Sequence, residues 1–188
     1  MTFLRPSKQC ASRPYRLLVL LILLIAGCAK ILSLDYHPSH SLQGQGHIDV
    51  TSFHYLPSEL GEVRPKQVQL NPKAFGSVYL TQDISAFFTD AVKREVVAAG
   101  YQLSPDQRRT VTGTIKRFYL DWVDTSEMTF DMTISYAVLS GDQILYENTV
   151  ACRSSRGKAL ANDSVVVQEA TRQCIVKFLQ NAQEAKLF

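Results

Sequence analysis

Between Glu127 and Ser140 the side chains alternate more strictly than anywhere else in the chain. Met128, Phe130, Met132, Ile134, Tyr136 and Val138 share one parity, and Thr129, Asp131, Thr133 and Ser135 share the other. In extended backbone successive side chains point to opposite faces, so this stretch has one apolar and one polar side. Such a pattern predicts an antiparallel strand with a core on one face and water or a partner on the other. Gly141-Asp142 then turns the chain into a returning strand, Gln143 to Arg153, whose Ile144, Tyr146, Val150 and Cys152 are expected to face inward. Ahead of both, Thr110 to Val123 supplies a third strand. Its apolar parity switches from Val111 and Ile115 to Phe118, Leu120 and Trp122, which predicts a bulge at Lys116 and Arg117.

Two helices frame this meander. Thr81 or Asp83 caps the first, which runs to Ala99 and stops at Gly100. Its apolar stripe is Ile84, Phe87, Phe88, Ala91, Val92, Val96 and Ala99, with Glu95 expected as a solvated residue at the stripe's edge. The second starts at Asn162, Asp163 or Ser164, ends near Ala182, and buries Val167, Ala170, Cys174 and Phe178. His47 to Tyr55 reads as a first strand, lying parallel beside the meander. The order β-α-β-β-β-α predicts an α+β fold: a two-layer sandwich of a mainly antiparallel four-stranded sheet with two helices on one face. Cys152 and Cys174 both face the core on this reading. They are either a disulfide, which would close a loop of about 20 residues, or two buried thiols.

The amino-terminal region obeys different rules. Arg5, Lys8, Arg13 and Arg16 precede nine aliphatic residues, Leu17 to Ile25, and then Ala26-Gly27-Cys28. A basic stretch, a short apolar stretch and small residues before a cut describe a secretory signal peptide. A bilayer span needs about 18 to 20 apolar residues, so this run is too short. Ile25-Ala26-Gly27-Cys28 resembles the lipobox of bacterial lipoproteins. The resemblance implies cleavage after Gly27 and lipidation of Cys28, by a diacylglyceryl thioether and a further acyl chain such as palmitate. Two or three acyl chains hold a protein firmly at a membrane, at ~0.8 kcal/mol per buried methylene. Ala29 in place of Asp implies sorting to the outer membrane. Residues 1–27 are thus read as leader, 28–46 as lipidated Cys and flexible tether, and 47–188 as the periplasmic domain.

The leader carries four of the 20 Lys and Arg and none of the 17 Asp and Glu, so the remaining chain is close to neutral. No basic stripe remains of the kind that phosphate neutralisation requires, which argues against a nucleic-acid partner. His37 and His40 have metal-ligand spacing but straddle Pro38 in the tether, and no metal site is expected. Residues 56–77, rich in Pro and Gly, read as a long loop and a candidate contact surface. The chain contains no G-x-S-x-G, H-E-x-x-H, Cys-x-x-Cys or phosphate-binding glycine loop, so neither catalysis nor a cofactor is expected. Asp121 and Asp124 flank Trp122. That trio is either a partner surface or the lid on an open end of the core.

GHIDVTSFHYLPSELGEV, SAFFTDAVKREVVAAGYQL, VTGTIKRFYLDW and TISYAVLSGDQILYENTV together resemble the YajG-like envelope lipoproteins. Similar layouts occur in auxiliary lipoproteins of envelope transporters and in lipopolysaccharide-assembly lipoproteins. The resemblance implies an outer-membrane, periplasm-facing lipoprotein without catalytic residues. Such a protein would bind or scaffold another envelope protein in assembly or transport. The alternatives are a lipid-binding auxiliary subunit of an ABC-type envelope transporter, sheltering an acyl chain between helices and sheet, and an envelope hydrolase with convergent acids or a His in a cleft.

Overall fold

The computed structural model describes residues 29–39, 41–105, 109–123, 126–158 and 162–188. The leader, Cys28, His40 and Asp124 lie outside the described residues.

The meander forms as its pattern requires. Strands β7 (Arg109–Asp121), β8 (Glu127–Ser140) and β9 (Gln143–Gly157) pair antiparallel in succession. The β7–β8 register slips between Ile115 and Arg117, so Ile115 and Phe118 both point into the core despite their odd spacing. Gly141, at φ +59°, opens the two-residue β8–β9 turn. A second slip, between Val138 and Leu139, puts Tyr146 opposite Val138 and Ile144 opposite Leu139. Ile144 is consequently exposed, against the inward position its parity predicts.

The sheet is larger than four strands and is mixed. The order is β6-β2-β7-β8-β9 within a seven-stranded sheet, where β2 is His47–Val50 and β6 is Gln102–Leu103. Beyond β2, the same edge of β7 receives β3 (His54–Tyr55) and β4 (Gln69–Leu70), all three in parallel. The expected first strand is broken in two because its inward residues, Val50 and Phe53, are three apart and one period-two strand cannot bury both. Two- and four-residue strands leave little periodic signal, which is why the sequence pattern shows only the long members.

Helices α2 (Ile84–Ala98) and α3 (Asp163–Glu184) cover one face, as expected. Asp83 occupies the N-cap of α2 without a side-chain bond, whereas Asn162 caps α3 by accepting from the Ser164 N–H at 3.1 Å. Gly100, at φ +96°, follows the C-cap of α2. Between the layers, Tyr136 of β8 stacks on Phe178 of α3, with centroids 4.1 Å apart, and Phe53 meets Phe88 of α2 edge-on at 5.0 Å. Gly113 makes this approach possible. A Cβ there would collide with the Ser135 carbonyl and the Phe53 ring.

Two expectations fail in the first third of the chain. Residues 56–77 are not a bare loop. Leu56–Glu59 is a one-turn helix (α1), Gln69–Leu70 joins the sheet as β4, and Val68 is fully buried. Residues 29–39, read as tether, are packed. Strand β1 (Ala29–Leu32) pairs in parallel with β5 (Ser77–Leu80), and Leu32 and Tyr36 are buried. The apolar alternation Leu32-Leu34-Tyr36 was the available signal, outweighed by neighbouring Pro, Ser and Gly.

Candidate functional site: the amino-terminal strap and the open sheet face

Glu95 explains how the strap is held. It lies on the buried stripe of α2 and is 1% exposed, not solvated as its edge position predicts. A buried carboxylate needs several donors. They come from the strap: the Tyr36 hydroxyl donates at 2.7 Å, the Ser39 N–H at 3.0 Å, and the Ser39 hydroxyl donates too. Burial, and secondarily the Glu95 carboxylate, push the Tyr36 phenol far above its ordinary value of 10.0. Further out, Arg94 of α2 reaches Asp35 at 3.5 Å, and Lys30 pairs at 2.6 Å with the buried Asp163 in the first turn of α3. The strap therefore ties β5, α2 and α3 together, starting at the residue after Cys28.

Among the described residues neither long helix lies on the opposite face of the sheet. Thr110, Thr112, Thr114, Thr129, Thr133, Ser135 and Thr149 lie on it, in agreement with the alternation. At its centre Asp131 accepts from Arg153 at 3.1 Å and faces Arg117 at 3.6 Å, and the Arg117 guanidinium lies 4.0 Å over the Tyr119 ring. Arg117, Asp131, Thr133, Ala151 and Arg153 line a shallow depression of about 260 Å³. The outward parity marked Asp131 in the sequence. Its partners emerge only from the strand register, which sets Arg153 opposite Asp131 and Arg117 opposite Thr133.

Trp122 is half-buried against the core, at the end of β7. Asp121 accepts from Asn71 Nδ2 at 3.1 Å and from the Val123 N–H at 2.9 Å, so it fixes the turn beside it. The cysteines meet: Cys152 and Cys174 form a disulfide with Cα atoms 5.6 Å apart, fastening β9 to α3. His54 bonds Glu59 at 2.9 Å, and His37 stands 3.8 Å from Asp35. Among the described residues no cluster of His, Cys, Asp or Glu has the makings of a metal site, and no helix is long and apolar enough to cross a membrane.

No protein-family model and no curated protein matches the sequence. Among solved structures, a Xanthomonas campestris protein of family DUF330 superposes with a TM-score of 0.58 at 11% identity, over 84% of this chain and 99% of that one. The two chains share a fold. A minor lipoprotein of Acinetobacter baumannii reaches a TM-score of 0.42 at 12% identity, over 76% of this chain and 94% of its own. Rare lipoprotein B of Shewanella oneidensis reaches 0.40 at 10%, over 77% and 97%.

Proposed function

We propose that this protein is a lipid-anchored, periplasm-facing lipoprotein that binds or scaffolds another envelope protein, without catalysis. The observation that carries the reading is a junction. A lipobox cysteine, Cys28, immediately precedes a strand built into the domain, so an acyl anchor there would hold the folded body itself. Confinement to a surface raises the effective concentration of a domain for membrane-bound partners, which is how a small non-catalytic lipoprotein contributes to assembly. The fold shared with the DUF330 protein and the lipoprotein names among weaker likenesses are consistent with this. Outer-membrane sorting follows from Ala29 and belongs to the same proposal.

The uncovered sheet face is the surface offered to the partner. Its Asp131 cluster combines charge, an aromatic ring and hydroxyls in one depression, and guanidinium and aromatic groups are favoured at interface centres. The acyl-carrier reading has less support. The space it would need between helices and sheet is filled by Phe88, Ile134, Tyr136 and Phe178, all 0–1% exposed. Mass analysis of the purified protein tests the anchor: an intact Met1, or a mature chain lacking acyl mass on Cys28, overturns it. In-cell photo-crosslinking from Thr133 and Ala151 tests the surface. A single recurrent envelope protein is expected, and a spread of abundant neighbours equal to that from an exposed site on α3 would refute the assignment.

A further inference from the structure

Phe75 is 99% exposed, more than any other large apolar side chain among the described residues. A single surface aromatic needs no explanation, but the position of this one is specific. It stands in the turn of residues 71–76 that feeds β5, and Ser77, the first residue of β5, pairs in parallel with Ala29. Both strands therefore enter their sheet from the same side. Chain geometry holds the Phe75 Cα within about 12 Å of Ala29. Ala29 is the neighbour of Cys28, with no spacer between the lipobox cysteine and β1.

The turn is braced. Asn71 donates to Asp121 at 3.1 Å, and its own side-chain oxygen and carbonyl accept from the Lys73 and Ala74 N–H groups at 3.0 and 2.8 Å. Phe75 is thus presented on a fixed frame. Through Asp121 the turn belongs to the same pole as Trp122 and the start of β8, where Glu127 pairs with Gly157. Around this pole Lys30 pairs with Asp163, and Lys73 and Asp121 both bond Asn71. Arg156 and Lys158 flank the strand end opposite Glu127, so four cations face three acids and the net charge of these groups is small.

We infer that, with Cys28 acylated, the 71–76 turn inserts the Phe75 ring among lipid headgroups, giving the domain a second point of membrane contact that fixes its orientation. The inference rests on the acylation reading. Bilayer lipid is the occupant because the chain outside the described residues joins at this pole and brings acyl chains to it. An aromatic ring suits the interfacial layer, where its apolar body enters and the surrounding polar groups stay wet. The small net charge means that zwitterionic and anionic lipid should serve alike. Seated this way, Asp131, four residues along β8 from the pole, stands about 13 Å up the strand direction.

The test uses the acylated full-length chain in phosphatidylethanolamine–phosphatidylglycerol vesicles, with an environment-sensitive NBD label on Phe75→Cys or, as control, on Leu60→Cys, at another exposed apolar position. The label at 75 is expected to brighten several-fold and be quenched by shallow doxyl lipids, while that at 60 stays water-like. A water-like label at 75 on protein that is acylated and floats with the vesicles overturns the seat and leaves the anchor standing. Brightening without quenching by doxyl lipid also overturns it, by placing a second copy of the chain there. If wild type floats no better than Cys28→Ser, the anchor falls and takes the seat with it.

Discussion

The two ends of this domain are held by opposite means. From Glu127 to Glu184, two long strands and a long helix meet through an aromatic stack and a disulfide, and each element carries its own periodic signal. From Ala29 to Ser39, one short strand and an extended stretch lie against neighbours distant in sequence; only Leu32 and Tyr36 of it are buried, and polar contacts such as Tyr36 and Ser39 on Glu95 add to the fastening. Burial of large apolar surface fixes the first region cooperatively. The second is a strap, whose edge pairing and hydrogen bonds can open without the rest.

The sharpest way to break that contrast is to attack the stack. Phe178→Ala should cost about 3–5 kcal/mol and lower the urea midpoint of the whole domain; an effect confined to residues 29–39 would show the cooperative unit to be misplaced. Reducing the disulfide, or replacing it through Cys152→Ser with Cys174→Ser, should cost about 3 kcal/mol, read from urea curves with and without reductant. Glu95→Ala leaves the buried Tyr36 hydroxyl without its acceptor and should cost about 1–3 kcal/mol. Here the expected signature is regional: hydrogen exchange accelerates in Ala29–Leu32 and Ser77–Leu80 while β8 keeps its protection.

Alkaline pH sharpens the same comparison. The folded-state pKa of Tyr36 is raised, first by burial and then by Glu95, so its contribution to stability is intact below pH 10 and is lost as pH rises beyond that value. Above pH 10 the wild type should lose stability more steeply than Tyr36→Phe, by up to about 1.4 kcal/mol per pH unit. Matching slopes would mean that the phenol is not held protonated. The smallest effect belongs to Tyr136, whose buried hydroxyl has no hydrogen-bond partner among the described residues. Tyr136→Phe should be neutral or stabilising by about 1 kcal/mol, since it removes an unsatisfied polar group and keeps the stacked ring.

What was legible in the sequence follows the same division. The bulge at Lys116, the two-residue turn, both long helices and the mutual approach of Cys152 and Cys174 all leave a local trace, because each depends on a period, a cap or a parity. Glu95 misled because its place on the stripe's edge is compatible with either solvent or burial, and the donors that decide between them lie 56 and 59 residues away. Trp122 and Asp121 were singled out for their chemistry. Asp121 proves to brace a turn through Asn71 and the Val123 N–H, a role that its place beside an aromatic did not signal.

The chain's own order of residues determined the alternating meander and the two amphipathic helices, since each is a repeat over neighbours that a pattern can express. Only the tertiary structure decided that the strap folds onto α2, that three short segments complete the sheet along β7, and that Arg117 and Arg153 converge on Asp131. Those depend on register and packing between distant segments, where one residue of slip exchanges the buried face for the wet one.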